Sequence, residues 1–191
     1  MHATFAPGFP GLLEAFYVQE KIMQRMLPGV YAVFVSAGYL SRSTCQLNTS
    51  KQKQNMISTT AYAVKWYITL FANTVSFKTQ LRLWDVYFLE GRDVMVLMSV
   101  AILWAFKGMC WPHLADIIHL MAVIDNFLAP KASFESILGI LSSFFVIENE
   151  DALFSWLRKA MLDRRLRRDM ASWRAEWKEL VRTEKEKDVL L

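Results

Sequence analysis

Thirteen consecutive residues, Val94–Phe106, carry a single polar side chain, Ser99. A segment that is apolar on every side has no face to offer water, so it must sit inside other elements as a central helix. Asp93 suits the start of that helix because a carboxylate complements the positive end of the backbone dipole. Crossing a bilayer takes about 20 apolar residues, and here any extension runs into Lys107, Gly108 and Pro112. The segment is therefore expected to be a core helix and not a membrane span.

The residues before it supply partners. A helix is predicted over Tyr62–Asn73, with Val64, Tyr67, Ile68 and Phe71 toward one face. A second is predicted from Ser76, a hydroxyl N-cap, to Glu90, ended by Gly91, which tolerates a left-handed backbone. Earlier, Gly11–Met26 is amphipathic through Leu12, Phe16, Gln19/Glu20, Met23 and Leu27. Pro28-Gly29 should end it, and a short helix should follow from Val30 to about Tyr39. Ser41–Thr60 is dense in Ser, Thr, Gln, Asn and Lys, which predicts a polar loop.

Beyond the central segment, Pro112 can open a helix to Asn126 with Leu114, Ile117, Ile118, Met121 and Ile124 buried. Ser133 is expected to cap a helix running to about Ile147. Asn149, followed by Glu150 and Asp151, should start a last long helix. Leu166, Met170, Trp173, Trp177 and Leu180 repeat on it at coiled-coil spacing. Half of all Lys and Arg lie beyond Asp151, among them Arg158, Lys159, Arg164, Arg165, Arg167 and Arg168. The organisation is thus an all-α helical bundle over 1–147 and a charged amphipathic helix over 148–191.

A hydrophobic fraction of 54% exceeds the usual globular level, and 7 Gly with 5 Pro leave little room for a turn-rich β architecture. A net charge of +4 is too mild to favour nucleic acid. Cys45 and Cys110 are far apart and unclustered, so neither a disulfide framework nor a zinc site is expected, and a reducing compartment is. His113 and His119 do not have the spacing of a helical metal pair. Met1–Pro10 has no basic stretch and no long apolar run, so no leader is expected. No cofactor is implied.

Trp66-Tyr-Ile-Thr-Leu-Phe71, Arg82-Leu-Trp-Asp85 and Phe88-Leu-Glu-Gly91, in this order and spacing, resemble the C-terminal half of a TBC domain. That is the all-helical module of Rab GTPase-activating proteins. Phe9-Pro-Gly-Leu-Leu-Glu14 and Met26-Leu-Pro28 resemble the segments preceding this block, so the likeness runs roughly over 9–145. It implies a Rab-type GTPase as partner, a role in vesicle traffic, and a cytoplasmic location with peripheral attachment to endomembranes as an option. Because the likeness begins late in the family's order, it also implies that the half carrying the catalytic fingers is missing.

In that family an arginine from I-x-x-D-x-x-R neutralises charge on the transferring phosphoryl group, and a glutamine from Y-x-Q-G orients the attacking water. No aspartate here has an aliphatic residue three before and an arginine three after. Asp85 follows Arg82 and precedes Phe88, and Asp163 follows Ala160 and precedes Leu166. Tyr17-Val-Gln19 matches the second motif in letters, but Glu20-Lys21-Ile22 replaces the glycine and small residues that should follow. Gln19 is expected to be an ordinary residue of an amphipathic helix. Arg82, Trp84 and Asp85 are expected to serve structure, with Trp84 in the core and Asp85 paired or capping. No catalytic, cofactor-binding or metal-binding residue is assigned, and the chain is expected not to be an enzyme. For the C-terminal helix, an anionic membrane surface or a helical partner is the alternative to plain solvation.

Overall fold

The computed structural model describes residues 7–32, 34, 58–105, 134–147 and 149–183. Its helices are α1 (Pro10–Met26), α2 (Thr59–Ile68), α3 (Phe77–Glu90), α4 (Asp93–Ala105), α5 (Phe134–Leu141), α6 (Glu150–Leu162) and α7 (Arg164–Arg182). Among the described residues there is no β-strand, only an isolated parallel bridge between Val75 and Phe145. Among the described residues the fold is an all-α bundle, as expected.

α4 is the hub. It packs against α1, α2, α3 and α6, and Val94–Met98, Val100 and Leu103 are buried. Neighbours on several sides are what a helix without a polar face requires. Ser99, its one polar side chain, donates to the Met95 carbonyl one turn back at 3.0 Å, so its hydroxyl is paired inside the core.

The ends of α3 follow local chemistry. Ser76 Oγ accepts from the Thr79 N–H at 3.3 Å, and Gly91 at φ 89° ends the helix with its N–H on the Tyr87 carbonyl. α1 begins one residue earlier than its spacing suggests, with Pro10 in the first turn, where a missing N–H costs nothing. Pro28 ends it as expected, because the residue before a proline is pushed out of the helical region and Leu27 stands at ψ 51°. The helix ends at Met26, and Pro28 opens a further helical turn over 28–32.

α2 differs from its expected span at both ends. Thr59 and Thr60, placed in the polar loop by composition, are the first residues of the helix, and Thr59 is buried. The helix stops at Ile68 rather than Asn73 because Leu70 and Phe71 both take left-handed conformations, at φ 48° and 63°. Such angles strain residues with a Cβ. Two interactions hold them: the Phe71 N–H donates to the Trp66 carbonyl at 2.8 Å, and the Phe71 ring is buried beside Trp66.

α5 ends at Leu141, six residues short of Ile147. The Phe145 N–H donates to the Thr74 carbonyl at 2.7 Å, an extended contact that a continued helix would forbid. Phe145 is buried, whereas Phe144 is exposed. The C-terminal helix is also divided. Asn149 caps α6 as expected, its Oδ1 accepting from the Ala152 N–H at 2.9 Å. Asp163 then breaks the run and caps α7, accepting from the N–H groups of Arg165 and Leu166 at 2.8 and 3.4 Å. The heptad-spaced seam survives within α7: Leu166, Met170 and Trp177 are buried, and the helix packs on α1 and α6.

The expected helix over Pro112–Asn126, the remainder of the polar loop, most of the short helix after Val30, the Ser133 cap, Cys45, Cys110, His113 and His119 lie outside the described residues.

Candidate functional site

Gln19 lies on the inner face of α1 with no exposed surface. Its Nε2 donates to the Tyr62 hydroxyl at 3.1 Å, and its Oε1 accepts from the Tyr67 hydroxyl at 2.8 Å. Burial raises the pKa of both tyrosines, so these hydroxyls stay neutral and remain donors. The amide thus joins α1 to α2. Gln19 is more deeply placed than an ordinary amphipathic-helix residue. It is the polar tie within an aromatic cluster.

Arg82, Trp84 and Asp85 do not converge. Arg82 reaches the start of α6, with Nη1 at 2.8 Å from Asp151 and 3.4 Å from Glu150, and its guanidinium lies 4.4 Å from the centre of the Phe154 ring. Trp84 sits at the rim of the core, half-buried, and its indole N–H donates to the Leu70 carbonyl at 2.9 Å. That bond ties Arg-Leu-Trp-Asp to the strained end of Trp-Tyr-Ile-Thr-Leu-Phe. Asp85 faces solvent and forms no ion pair among the described residues.

Glu150 is the anchor beneath Arg82. Its Oε1 accepts from the Thr79 hydroxyl at 2.7 Å, and Lys78 lies 3.2 Å from its Oε2. Burial pushes this carboxyl upward, but the Thr79 hydroxyl, Lys78 and Arg82 together outweigh it and hold the group below the ordinary carboxylate value. A second charged corner joins α1, α4 and α7. Arg174 bridges Asp93 and Glu14, the latter at 3.3 Å, and Arg92 meets the same Glu14 oxygen at 2.5 Å. The arginines nearest the core are therefore consumed in pairs. Those at the start of α7 form no ion pair among the described residues, and Arg165 and Arg168 line an open groove with Arg25, Asp169 and Ser172.

Among the described residues no group of three or more His, Cys, Asp or Glu is arranged to hold a metal, and no helix is long and apolar enough to cross a membrane.

The Rab-GTPase-TBC domain model matches residues 1–110, more than half of the chain. The chain belongs to the Rab-GTPase-TBC domain family. The TBC match stops near the end of α4, so α5, α6 and α7 lie beyond it. Similar proteins include the GTPase-activating protein GYP5 of Saccharomyces cerevisiae, 27% identical over 100 residues that make up 52% of this chain and 9% of that protein. A TBC domain-containing protein of Schizosaccharomyces pombe is 33% identical over 99 residues, covering 50% of this chain and 20% of that one. Human TBC1 domain family member 10B is 26% identical over 98 residues, covering 47% and 12%. The chain thus matches at most a fifth of the length of these relatives. No solved structure matches it.

The groove at Arg25 and Ser172 was not legible in the sequence. Its two walls come from helices nearly 140 positions apart, and only the Arg164–Arg168 cluster on one wall gave a signal.

Proposed function

We propose that this chain contacts a Rab-type GTPase on the cytoplasmic face of an endomembrane without, on its own, accelerating GTP hydrolysis. Family membership supports the class of partner. The absence of catalysis rests on one observation: no aspartate in the sequence stands in the I-x-x-D-x-x-R pattern. An arginine finger contributes roughly 10³–10⁵ in rate because it meets charge that only the transition state carries. The described arginines closest to the core are tied to carboxylates, and the amide of Gln19 is buried, which also favours binding over chemistry.

Contact area does not need the finger. α3 leaves Phe77, Leu81, Phe88 and Leu89 exposed, apolar surface of the kind that protein partners cover and that also favours self-association. The test is GTP hydrolysis by a panel of Rab proteins with and without the chain, run beside a binding assay. Saturable binding to at least one Rab, with hydrolysis within about twofold of its intrinsic rate, is expected; stimulation approaching the range above would overturn the proposal. Arg82→Ala and Gln19→Ala would then locate the residue responsible.

A further inference from the structure

We propose that the groove between the end of α1 and the first turns of α7 binds the phosphorylated headgroup of an anionic membrane lipid. The groove has a volume of about 460 Å³ and is lined by Arg25, Arg165, Arg168, Asp169 and Ser172. That is ample for a phosphorylated sugar-sized group, within the usual range of small-ligand sites. Three guanidiniums face one carboxylate, and that carboxylate is already paired, Asp169 with Arg25. Arg165 and Arg168 form no ion pair among the described residues. They lie three apart on one helical face, and Ser172 stands one turn further on that face.

The placement of these arginines runs against what folding alone would select. Arg164, Arg165, Arg167 and Arg168 occupy the opening turns of α7, which hold no acidic residue in the first turn. The positive end of a helix dipole repels cations, so this cluster weakens the helix it belongs to. A bound phosphate reverses the sign of that interaction. The Asp163 side chain already accepts from the Arg165 and Leu166 N–H groups. The grip must therefore come from side chains, and guanidinium forks match phosphate oxygens in pairs.

The lipid source follows from the neighbouring residues. Leu162, the last residue of α6, is 68% exposed at the corner that leads into this cluster, with exposed Arg158 and Lys159 in the preceding turn. An apolar tip ringed by basic side chains is suited to an anionic interface, where the leucine enters the headgroup layer and each cation gains from the surface potential. Contact with a Rab is not needed for this binding, so it stands or falls apart from the proposed function.

The experiment is co-sedimentation of the full chain with neutral vesicles, phosphatidylserine vesicles, and vesicles of equal total charge carrying a bisphosphorylated phosphoinositide. Preference for the third is expected, at least tenfold over the second. R165Q/R168Q should abolish that preference and leave the melting temperature equal or higher. K178Q/R182Q, which removes the same charge at the far end of α7, should change binding less than twofold. L162S should weaken vesicle binding but not protection of the chain against heat by soluble inositol bisphosphate. Equal binding to both anionic vesicles, or equal loss in the two double variants, would overturn the proposal in favour of diffuse attraction. Binding of the soluble headgroup with no binding to vesicles would overturn the membrane source, and no binding of either would overturn the site.

Discussion

The α2–α4 block and the α6–α7 pair belong to one bundle, yet they are held by different balances of packing and charge. In the first, Trp66, Phe71, Leu83, Leu97 and Met98 are fully buried. Trp66 lies 5.2 Å from the Tyr62 ring and 6.0 Å from that of Phe71. In the second, Leu153 and Leu157 of α6 and a narrow seam of Leu166, Met170 and Trp177 on α7 are buried, and charged residues add further links to the rest. Examples are Arg174 to Glu14 at 3.3 Å and Lys21 to Glu176 at 3.4 Å. Packing is not subject to charge screening, whereas exposed pairs are. The block fixes the fold, and the pair carries adjustable charge on its outer face.

The greatest expected loss is in the block. Trp66→Ala removes a fully buried ring and leaves the Leu141 carbonyl without the indole donor at 3.2 Å. Truncating a large buried aromatic costs about 3–5 kcal/mol. Urea unfolding should show it, and a loss under about 1 kcal/mol, the scale of an ordinary substitution, would mean that this block is not the stabilising centre.

Gln19→Leu comes next, since it keeps the volume but strips the Tyr62 and Tyr67 hydroxyls of a shared partner. Buried polar groups left unpaired cost about 1–3 kcal/mol. Unchanged stability would break the reading of Gln19 as a structural tie. Restored stability in a Tyr67→Phe background would sharpen it, because the hydroxyl that donated to Gln19 is then gone, while Tyr62 still donates to Met23 Sδ at 3.4 Å.

Glu150 links the two regions and tests the electrostatic side. Its folded pKa is lowered, so its stabilisation is complete above the ordinary value of 4.5. As the pH falls below that value the unfolded chain takes up the proton first, and the advantage drains away toward the folded pKa. The stability gap between the parent chain and Glu150→Gln should therefore be constant near neutrality and shrink in acid, measured by urea unfolding at several pH values. A gap that widens on acidification would show that burial, and not Thr79, Lys78 and Arg82, governs this carboxyl.

How much of this was legible in the sequence depended on whether a feature is local. The thirteen-residue apolar run placed α4 at the centre because solvent exclusion needs no knowledge of partners. Ser76, Gly91 and Asn149 marked helix ends because a cap is made within a few residues. The misplaced ends have tertiary causes. Phe71 stops α2 because its ring is drawn into the core, and α5 ends because the Phe145 backbone pairs with Thr74. Asp163 was a readable breaker, but a continuous charged pattern on both sides concealed it. At the candidate sites, motif absence was readable residue by residue, whereas the burial of Gln19 and the meeting of Arg25 with α7 depend on the packing of distant helices.

The smallest effect is expected where α1 and α7 meet at their surface. Lys21 lies 3.4 Å from Glu176, its side chain 29% and that of Glu176 49% exposed, and its ammonium stands 5.1 Å from the centre of the Tyr17 ring. An exposed ion pair contributes about 0.2–1 kcal/mol, and a partly exposed cation–π contact about as much again at most. Beneath them Tyr17 packs against Trp177 at 5.3 Å between ring centres, a contact that Lys21→Ala does not touch. The variant should thus lose at most about 2 kcal/mol, less than Trp66→Ala loses, and raising the salt should shrink its deficit further. Thermal unfolding at low and high ionic strength checks both. A salt-independent loss as large as that of Trp66→Ala would show that α7 is held on α1 by Lys21 and not by the apolar seam.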